Sequence, residues 1–125
     1  MAIGLRKLGG DAPASDGYRI LVERKWPTGL TRDDARVDLW LKDIAPSEGS
    51  EAWYSGKPER WGEFECGYFA ELDGKFELVR QILDRARKGN VTLLYISGDE
   101  ARNNAAAIRD YIEAKKDELT AKEAA

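Results

Sequence analysis

The sequence predicts a small single-domain α/β protein whose mainly parallel sheet of three to four strands is flanked by helices. Its 125 residues supply enough apolar surface for one core. Segments typical of strands and of helices alternate along the chain, which is the order that parallel strands need because the chain must cross back between them. Two runs, 18–22 and 91–96, are almost continuously apolar, as in strands that are buried on both faces.

Short strand-like segments separated by loops dominate the first half of the chain. Residues 18–22 are apolar and β-branched, and Pro27 and Gly29 end this strand. Thr31 with Asp34 three positions later is typical of a helix N-terminus. The elements predicted here, in order, are a short strand or extended arm at 3–8, a loop at 9–17, the strand at 18–22, a short helix from Thr31 through Ala35, a strand at 37–41 and one helical turn at 51–54.

Helical periodicity governs most of the second half. Apolar residues recur every three or four positions from Trp61 to Leu72, which predicts one buried helix face. The elements predicted here, in order, are a helix from Pro58 to Gly74, a helix at 76–88, a strand at 91–96 and a helix that opens at Ser97, where Ser97 and Glu100 form a capping-box pattern. The domain is predicted to span 1–118, and residues 119–125 are predicted to form a frayed C-terminal tail.

The composition excludes several classes of site. The formal net charge is −3, from 20 Lys and Arg against 23 Asp and Glu, whereas a dedicated nucleic-acid-coating protein is usually basic. The chain has no histidine, which excludes Ser-His-Asp triads, Cys-His pairs and His-ligated zinc. With the single Cys66 and no apolar run long enough to span a membrane, we expect no metal site and a cytoplasmic location.

A ligand site is expected where the strands end, because open parallel sheets bind ligands beyond the carboxyl ends of their strands. A charged segment follows each of the two apolar strands. Arg24 can hold an anion and Trp26 can cover a ring, while Glu23 and Asp99 are the candidate acid or base of a catalytic site. The structural alternatives stay open: Arg24 can pair with a nearby carboxylate, and Trp26 can pack a loop.

Several consecutive motifs carry a resemblance to a known family. They are, in order, DGYRILVERKWPTGL at 16–30, DLWLKDIAPS at 38–47, PERW at 58–61 and VTLLY at 91–95. On these motifs the chain resembles the YeaO-like group of domain-of-unknown-function family 488, over about residues 3–115. The resemblance implies a small cytoplasmic α/β domain of bacteria or archaea, with no activity assigned.

The chain departs from this family pattern at positions that bear on chemistry. Relatives usually carry a lysine and two histidines in the motif that here reads GDEARNNA, and they usually have Asp where Glu23 stands. If relatives use those histidines for catalysis or metal binding, this chain has lost that chemistry, and binding alone remains. The matching positions that we assign to ligand binding are Arg19, Arg24, Trp26, Lys42 and Asn103.

Two interpretations of function are kept. The first is a domain that binds a small anionic ligand, a nucleotide or a sugar phosphate, at the carboxyl ends of the strands. The alternative is a non-catalytic adaptor for nucleic acid or protein, indicated by the basic residues between Arg80 and Lys88 on one helix, although the net charge disfavours strong nucleic-acid binding. The sequence names no cofactor, no oligomeric state and no catalysed reaction, and it predicts no association with membranes.

Overall fold

A computed structural model describes residues 2–125 and is built around a four-stranded parallel sheet. The elements are β1 (Ile3–Lys7), β2 (Tyr18–Leu21), α1 (Arg32–Ala35), β3 (Leu39–Trp40), α2 (Glu48–Tyr54), α3 (Trp61–Asp73), α4 (Phe76–Lys88), β4 (Val91–Tyr95), α5 (Asn104–Ala114) and α6 (Lys116–Ala124). The strands lie in the order β1-β4-β2-β3, and every neighbouring pair is parallel. The predicted α/β class is therefore confirmed.

One face of the sheet is covered by long helices, and we call it the helix-covered face. Alternate strand residues point to it, including Ile20 of β2 and both Val91 and Leu93 of β4, which are buried almost completely. From α3, Tyr68 and Leu72 pack against this layer and are fully buried. The four-residue spacing of these two side chains places them on one side of the helix, as the periodicity of the sequence predicts.

Loops and the short helix α1 cover the opposite face, which we call the loop-covered face. Toward the carboxyl ends of the strands it is apolar, since Leu21 and Leu94 pack with Val37. Toward the amino ends it is polar, because Arg19 of β2 pairs there with Asp16, and both residues are buried. One half of this face is therefore held by apolar packing and the other by a buried ion pair.

The loop that enters β2 requires a glycine. Gly17 has a φ of +67°, a region that residues with a side chain rarely adopt, and a Cβ there would lie 2.2 Å from the carbonyl oxygen of Asn90. The next residue, Tyr18, donates its backbone N–H to the same oxygen at 2.9 Å. This close approach sets the register in which Tyr18 lies beside Val91.

The last strand is followed by a loop rather than by an immediate helix, which corrects the helix start predicted at Ser97. The helix α5 begins at Asn104, with Asn103 as its N-cap. In the loop, the Asp99 carboxylate accepts hydrogen bonds from the backbone N–H groups of Ala101 (3.0 Å) and Arg102 (3.1 Å). This local bonding offers the backbone an alternative to the helix, so the capping-box pattern does not start one.

The segment 119–125, predicted as a frayed tail, is helical up to Ala124. It belongs to α6, whose Leu119 is buried in the main core. Glu123 of the same helix forms an ion pair with Arg87 of α4. One apolar anchor and one ion pair therefore hold this segment against the rest of the protein.

Candidate functional site

A cleft lies at the carboxyl ends of β2 and β4, where the start of α5 approaches α2 and α3. Its volume is about 670 Å³, which is within the range of small-molecule sites. Glu23 after β2, Ile96 after β4 and Asn104 at the start of α5 all line it. We call it the strand-end cleft, and it occupies the position at which open parallel sheets bind ligands.

Glu23 connects the two strands and the helix that meet in the strand-end cleft. Its Oε1 accepts a hydrogen bond from Asn104 Nδ2 at 2.9 Å, and its Oε2 accepts one from the backbone N–H of Ile96 at 3.1 Å. Burial raises the pKa of Glu23 to about 7, and the nearby Glu51 carboxylate acts in the same direction. Near neutral pH this carboxyl group therefore exists in both protonation states, with lone pairs left for a ligand.

Aromatic side chains form another side of the cleft. The ring centroids of Tyr54 and Trp61 are 5.4 Å apart, and Phe64 lies 4.9 Å from the first and 5.4 Å from the second. Phe64 is buried, whereas Tyr54 and Trp61 are half-buried and retain exposed ring surface. The cleft thus offers apolar surface against which a planar group can pack.

Arg24 lines the cleft and also forms an ion pair and hydrogen bonds within the protein. Its guanidinium group pairs with Glu51 at 3.3 Å and donates to the Pro46 carbonyl oxygen. A guanidinium group has five N–H donors, so some remain for a ligand. Lys25 and Arg102 are the other cationic side chains of the cleft.

Asn103 and Asp99 order the loop that precedes α5. Asn103 is buried, and its Oδ1 accepts the backbone N–H of Ala106 at 2.8 Å while its Nδ2 donates to two loop carbonyl groups. The hydrogen bond from the Ala101 N–H, aided by the neighbouring Arg102, lowers the pKa of Asp99. Asn103 therefore reaches the cleft with its side chain already bonded to the protein, and Asp99 stays ionised within the loop.

The structure places Arg19, Trp26 and Lys42 away from the strand-end cleft. Arg19 is buried on the loop-covered face beside Asp16. Trp26 packs edge-on against Trp40 with a centroid distance of 5.4 Å, and Lys42 Nζ lies 6.0 Å from the centroid of that same ring. Of the five residues that the sequence analysis assigned to ligand binding, the cleft brings together two, and these three lie elsewhere.

Tyr54, Arg102 and Asn104 are among the cleft residues that the sequence analysis did not assign. Tyr54 belongs to a segment that predicts only a helical turn, and nothing in that segment indicates what it packs against. Asn104 is the first residue of α5. The predicted helix start at Ser97 would place Asn104 in the second turn of the helix. In the structure the N-cap is Asn103, so Asn104 lies in the first turn, from which its side chain reaches the strand ends.

The basic helix α4 uses most of its arginines within the protein. Arg80 pairs with two acidic residues of its own helix, and Arg87 pairs with Glu123 of α6. The guanidinium carbon of Arg85 lies 4.0 Å from the centroid of the Tyr18 ring. These contacts leave α4 with fewer free cations than its sequence indicates.

Within 2–125, no group of three or more His, Cys, Asp or Glu side chains is arranged to hold a metal ion. Cys66 is exposed on α3 as a free thiol. None of the helices in this part of the chain is both long enough and apolar enough to cross a membrane.

Comparisons with known proteins agree on one family. A family model described as the inactive DUF488-N3 subclade matches residues 2–125. The uncharacterized protein YeaO of Escherichia coli K12 is 34% identical over 112 residues, which cover 90% of this chain and 97% of YeaO. Uncharacterized proteins of Mycobacterium tuberculosis H37Rv and Mycobacterium bovis are each 38% identical over 98 residues, covering 78% of this chain and 82% of theirs. No solved structure matches the chain.

Proposed function

Because the chain belongs to the DUF488 family, in a subclade described as inactive, we propose that it is a non-catalytic domain that binds a nucleotide or a sugar phosphate. The observation that carries this proposal is the strand-end cleft, in which aromatic faces, hydrogen-bonding groups and cationic side chains surround a volume of about 670 Å³. This combination suits a ligand with a ring at one end and a phosphate at the other.

The ring of the ligand packs along the half-buried faces of Tyr54 and Trp61. Its polar edge meets Glu23 and Asn104, whose side chains are held together by their mutual hydrogen bond of 2.9 Å. Because that bond fixes both groups before a ligand arrives, little side-chain entropy is lost on binding. A nucleobase or a sugar ring both supply donors and acceptors for these two residues.

The phosphate of the ligand lies toward Lys25 and Arg102. Lys25 is exposed and forms no ion pair with any described residue, so its charge is available to an anion. Two further carboxylates, Glu48 and Glu51, also line the cleft. Arg24 contributes donors that Glu51 and Pro46 leave free. Charge-assisted hydrogen bonds from such groups are the usual means by which proteins hold phosphate.

The domain is proposed to be non-catalytic because of the residues that surround Glu23. The pKa of about 7 at Glu23 suits a general acid or base, but such catalysis needs a second group in a complementary role. The chain has no histidine, and Asp99 is committed to the loop backbone and to Arg102. Glu51, the other carboxylate near Glu23, is paired with Arg24. Glu23 therefore acts as a hydrogen-bond partner of the ligand.

The proposal is tested by isothermal titration calorimetry with AMP, GMP, ribose 5-phosphate, glucose 6-phosphate and inorganic phosphate. At least one of the ring-bearing phosphates is expected to bind saturably and more tightly than inorganic phosphate, because only it uses the aromatic side of the cleft. At a hundred times its dissociation constant the ligand adds about 2.7 kcal/mol to the free energy of unfolding, which a thermal melt detects.

Two variants locate the binding. Lys25→Ala removes an exposed charge of the cleft without breaking an ion pair and is expected to weaken binding about tenfold. Lys88→Ala, at the end of α4, is the matched control and leaves binding unchanged. The proposal fails if no compound binds at millimolar concentration or if both variants bind like the wild type. Tight, steeply salt-dependent binding of a short oligonucleotide in place of these compounds favours the adaptor instead.

A further inference from the structure

The two edges of the sheet differ in how much backbone they expose. The edge strand β3 contains two residues, whereas the edge strand β1 contains five and pairs with β4 over its whole length from Ile3 to Lys7. Proteins usually protect a long edge with proline, a bulge or a covering element, because unpaired backbone groups recruit other strands. β1 contains no proline and its register with β4 is unbroken, and its only charged side chains are the basic Arg6 and Lys7, which do not repel an acidic strand.

The ladder between β1 and β4 shows which backbone groups of β1 face outward. The Ala2 carbonyl oxygen accepts from Val91 N at 3.3 Å, and Leu8 N donates to the carbonyl oxygen of Tyr95 at 2.8 Å. Because alternate residues of a strand turn their backbone groups to the same side, the even-numbered residues of β1 face β4. The N–H and C=O groups of the odd-numbered residues 3, 5 and 7 point away from the sheet, and no loop or side chain among residues 2–125 bonds to them.

A groove of about 670 Å³ is lined by residues 2–6, which include most of β1, and it reaches the amino end of the neighbouring strand β4. Residues of α5 such as Ile112 also line it, as do Ser15 and Asn90, which precede β2 and β4. Ile3 and Leu5 pack against the main core, yet both stay only partly buried. A further strand laid beside β1 would cover the remaining apolar surface of these two side chains.

The charge of this groove selects what can lie in it. Its cationic side chains are Arg6, Arg109 and Lys116, and its acidic ones are Asp16 and Glu113. Asp16 is already shared between Arg6 and a second, buried arginine. Arg109 and Lys116 form no ion pair within the described residues, so the groove presents an excess of positive charge to a ligand.

We propose that an extended, acidic peptide segment of a partner protein adds to β1 as a fifth strand of the sheet. The free backbone groups of β1 supply main-chain hydrogen bonds, and the cations of the groove favour glutamate or aspartate in the added strand. A second copy of this chain suits the groove less well, because its own β1 brings Arg6 and Lys7 against the same positive charge.

The test uses a fluorescein-labelled peptide of alternating glutamate and valine, with fluorescence anisotropy as the readout. The peptide is expected to bind saturably, while a peptide of alternating lysine and valine does not. Lys116→Glu and Arg109→Glu are each expected to weaken binding about tenfold. Lys88→Glu, an equal change of charge at the end of α4, leaves it unaltered.

Backbone pairing is separated from simple charge attraction by two further measurements. A version of the acidic peptide that is N-methylated at alternate residues lacks the N–H donors of one edge, and it is expected to lose binding. Amide hydrogen exchange is expected to slow at Ile3, Leu5 and Lys7 when the unmodified peptide is present, whereas Gly4 and Arg6 are protected in the free protein as well.

Three results would overturn the proposal. The first is an absence of binding by the acidic peptide to the folded wild type. The second is equal binding of the N-methylated peptide, because charge alone would then explain the affinity. The third is slow exchange at Ile3, Leu5 and Lys7 in the free protein together with a dimer in sedimentation velocity, because a second copy would then occupy the edge.

Discussion

On the helix-covered face of the sheet, Val91 and Leu93 belong to an apolar cluster with side chains of α3, α4, α5 and α6, whereas on the loop-covered face Arg19 lies beside Asp16 under a loop. All four of these residues are buried. The first face removes apolar surface from water, which is non-directional and roughly proportional to area. The second buries charges, which is tolerated only because each charge has a partner.

Because of this difference, the two faces lose stability in different ways when one residue is substituted. An apolar layer loses stability in proportion to the atoms removed and the cavity left behind. A buried ion pair responds in an all-or-none manner, because removal of one partner leaves the other charged and unpaired. The following substitutions test this contrast between the helix-covered and the loop-covered face.

The largest loss of stability is expected at Tyr68, at the centre of the helix-covered face. Tyr68 is fully buried, and its hydroxyl donates to the carbonyl oxygen of Ile44. Tyr68→Ala removes an aromatic ring from the core and is expected to lower the free energy of unfolding by about 3–5 kcal/mol. Equilibrium unfolding in urea, followed by circular dichroism, measures this change.

Tyr68→Phe is the matched control for the same position, because it keeps the ring and removes only the hydrogen bond. A loss of about 1 kcal/mol is expected from it. If the phenylalanine and alanine variants lose similar amounts, the hydroxyl rather than the packed ring holds α3 to the sheet. The helix-covered face would then depend on polar contacts as the other face does.

On the loop-covered face, Asp16→Asn is expected to cost about 3 kcal/mol, because Arg19 stays charged and buried without its carboxylate. Arg19 also donates to the carbonyl oxygens of Arg36 (2.9 Å) and Ala35 (3.2 Å), and these bonds limit the loss. The same urea measurement applies. Asp33→Asn on the exposed surface of α1 is the matched control, with a change of a few tenths of a kcal/mol.

The Asp16 pair also has a defined pH dependence. Burial acts to raise the pKa of Asp16, but hydrogen bonds from Arg6 and Arg19 outweigh it and hold the pKa below its usual value. The stabilisation is therefore fully present above the unfolded pKa of about 4 and is lost as the pH falls through the folded value. A wild type and an Asp16→Asn variant whose acid unfolding curves coincide would show that this pair contributes nothing.

The contrast between the two faces also explains how much of the fold could be predicted. The strands β2 and β4 are buried on both faces, so their apolar runs are almost continuous in the sequence. Arg19 belongs to the same strand, yet its role depends on Asp16, which a loop brings to it. A one-dimensional pattern shows that a residue lies within a strand, but it does not show which loop covers that strand.

The same limit applies to the strand-end cleft. Glu23 and Arg24 could be identified because the end of an apolar strand is visible in the sequence, and Asn103 because it stands at a matching position of the family pattern. All three line the cleft. Trp26 follows the same strand but turns to the loop-covered face, where it packs on Trp40. Which side a loop residue takes is decided by tertiary packing, and no periodicity in the sequence reports it.

A smaller effect is expected from the helix caps on the two sides. Asn103 caps α5, whose first turn is buried on the helix-covered face, and Asn103→Ala is expected to cost about 1 kcal/mol. Thr31 caps the exposed, four-residue helix α1 of the other face, and Thr31→Ala is expected to cost less. Thermal melts of both variants make the comparison, and equal losses would contradict it. Asn103→Asp keeps the acceptor that Ala106 uses but loses both Nδ2 donors, so it should recover only part of the loss.

The smallest effect is a pH dependence on the helix-covered side, where Glu65 of α3 meets Asp110 of α5. Burial and this neighbouring carboxyl group raise the pKa of Glu65 to about 7. A carboxyl group with a raised pKa binds its proton more tightly in the folded state, so stability falls as the pH rises from about 4.5 to 7. The melting temperature of the wild type is expected to drop by a few degrees across this window.

Glu65→Gln removes the titrating carboxyl group and should reduce the fall of the melting temperature with pH. Glu23→Gln should reduce this fall further, because the pKa of Glu23 is also about 7. The double variant is expected to show an almost level melting temperature between pH 5 and pH 8. Glu63→Gln, an exposed neighbour on α3, is the control and keeps the wild-type slope. If the melting temperature of the double variant still falls as the pH rises, the helix-covered side holds another buried acid. The contrast between the two faces is then weaker than the packing indicates.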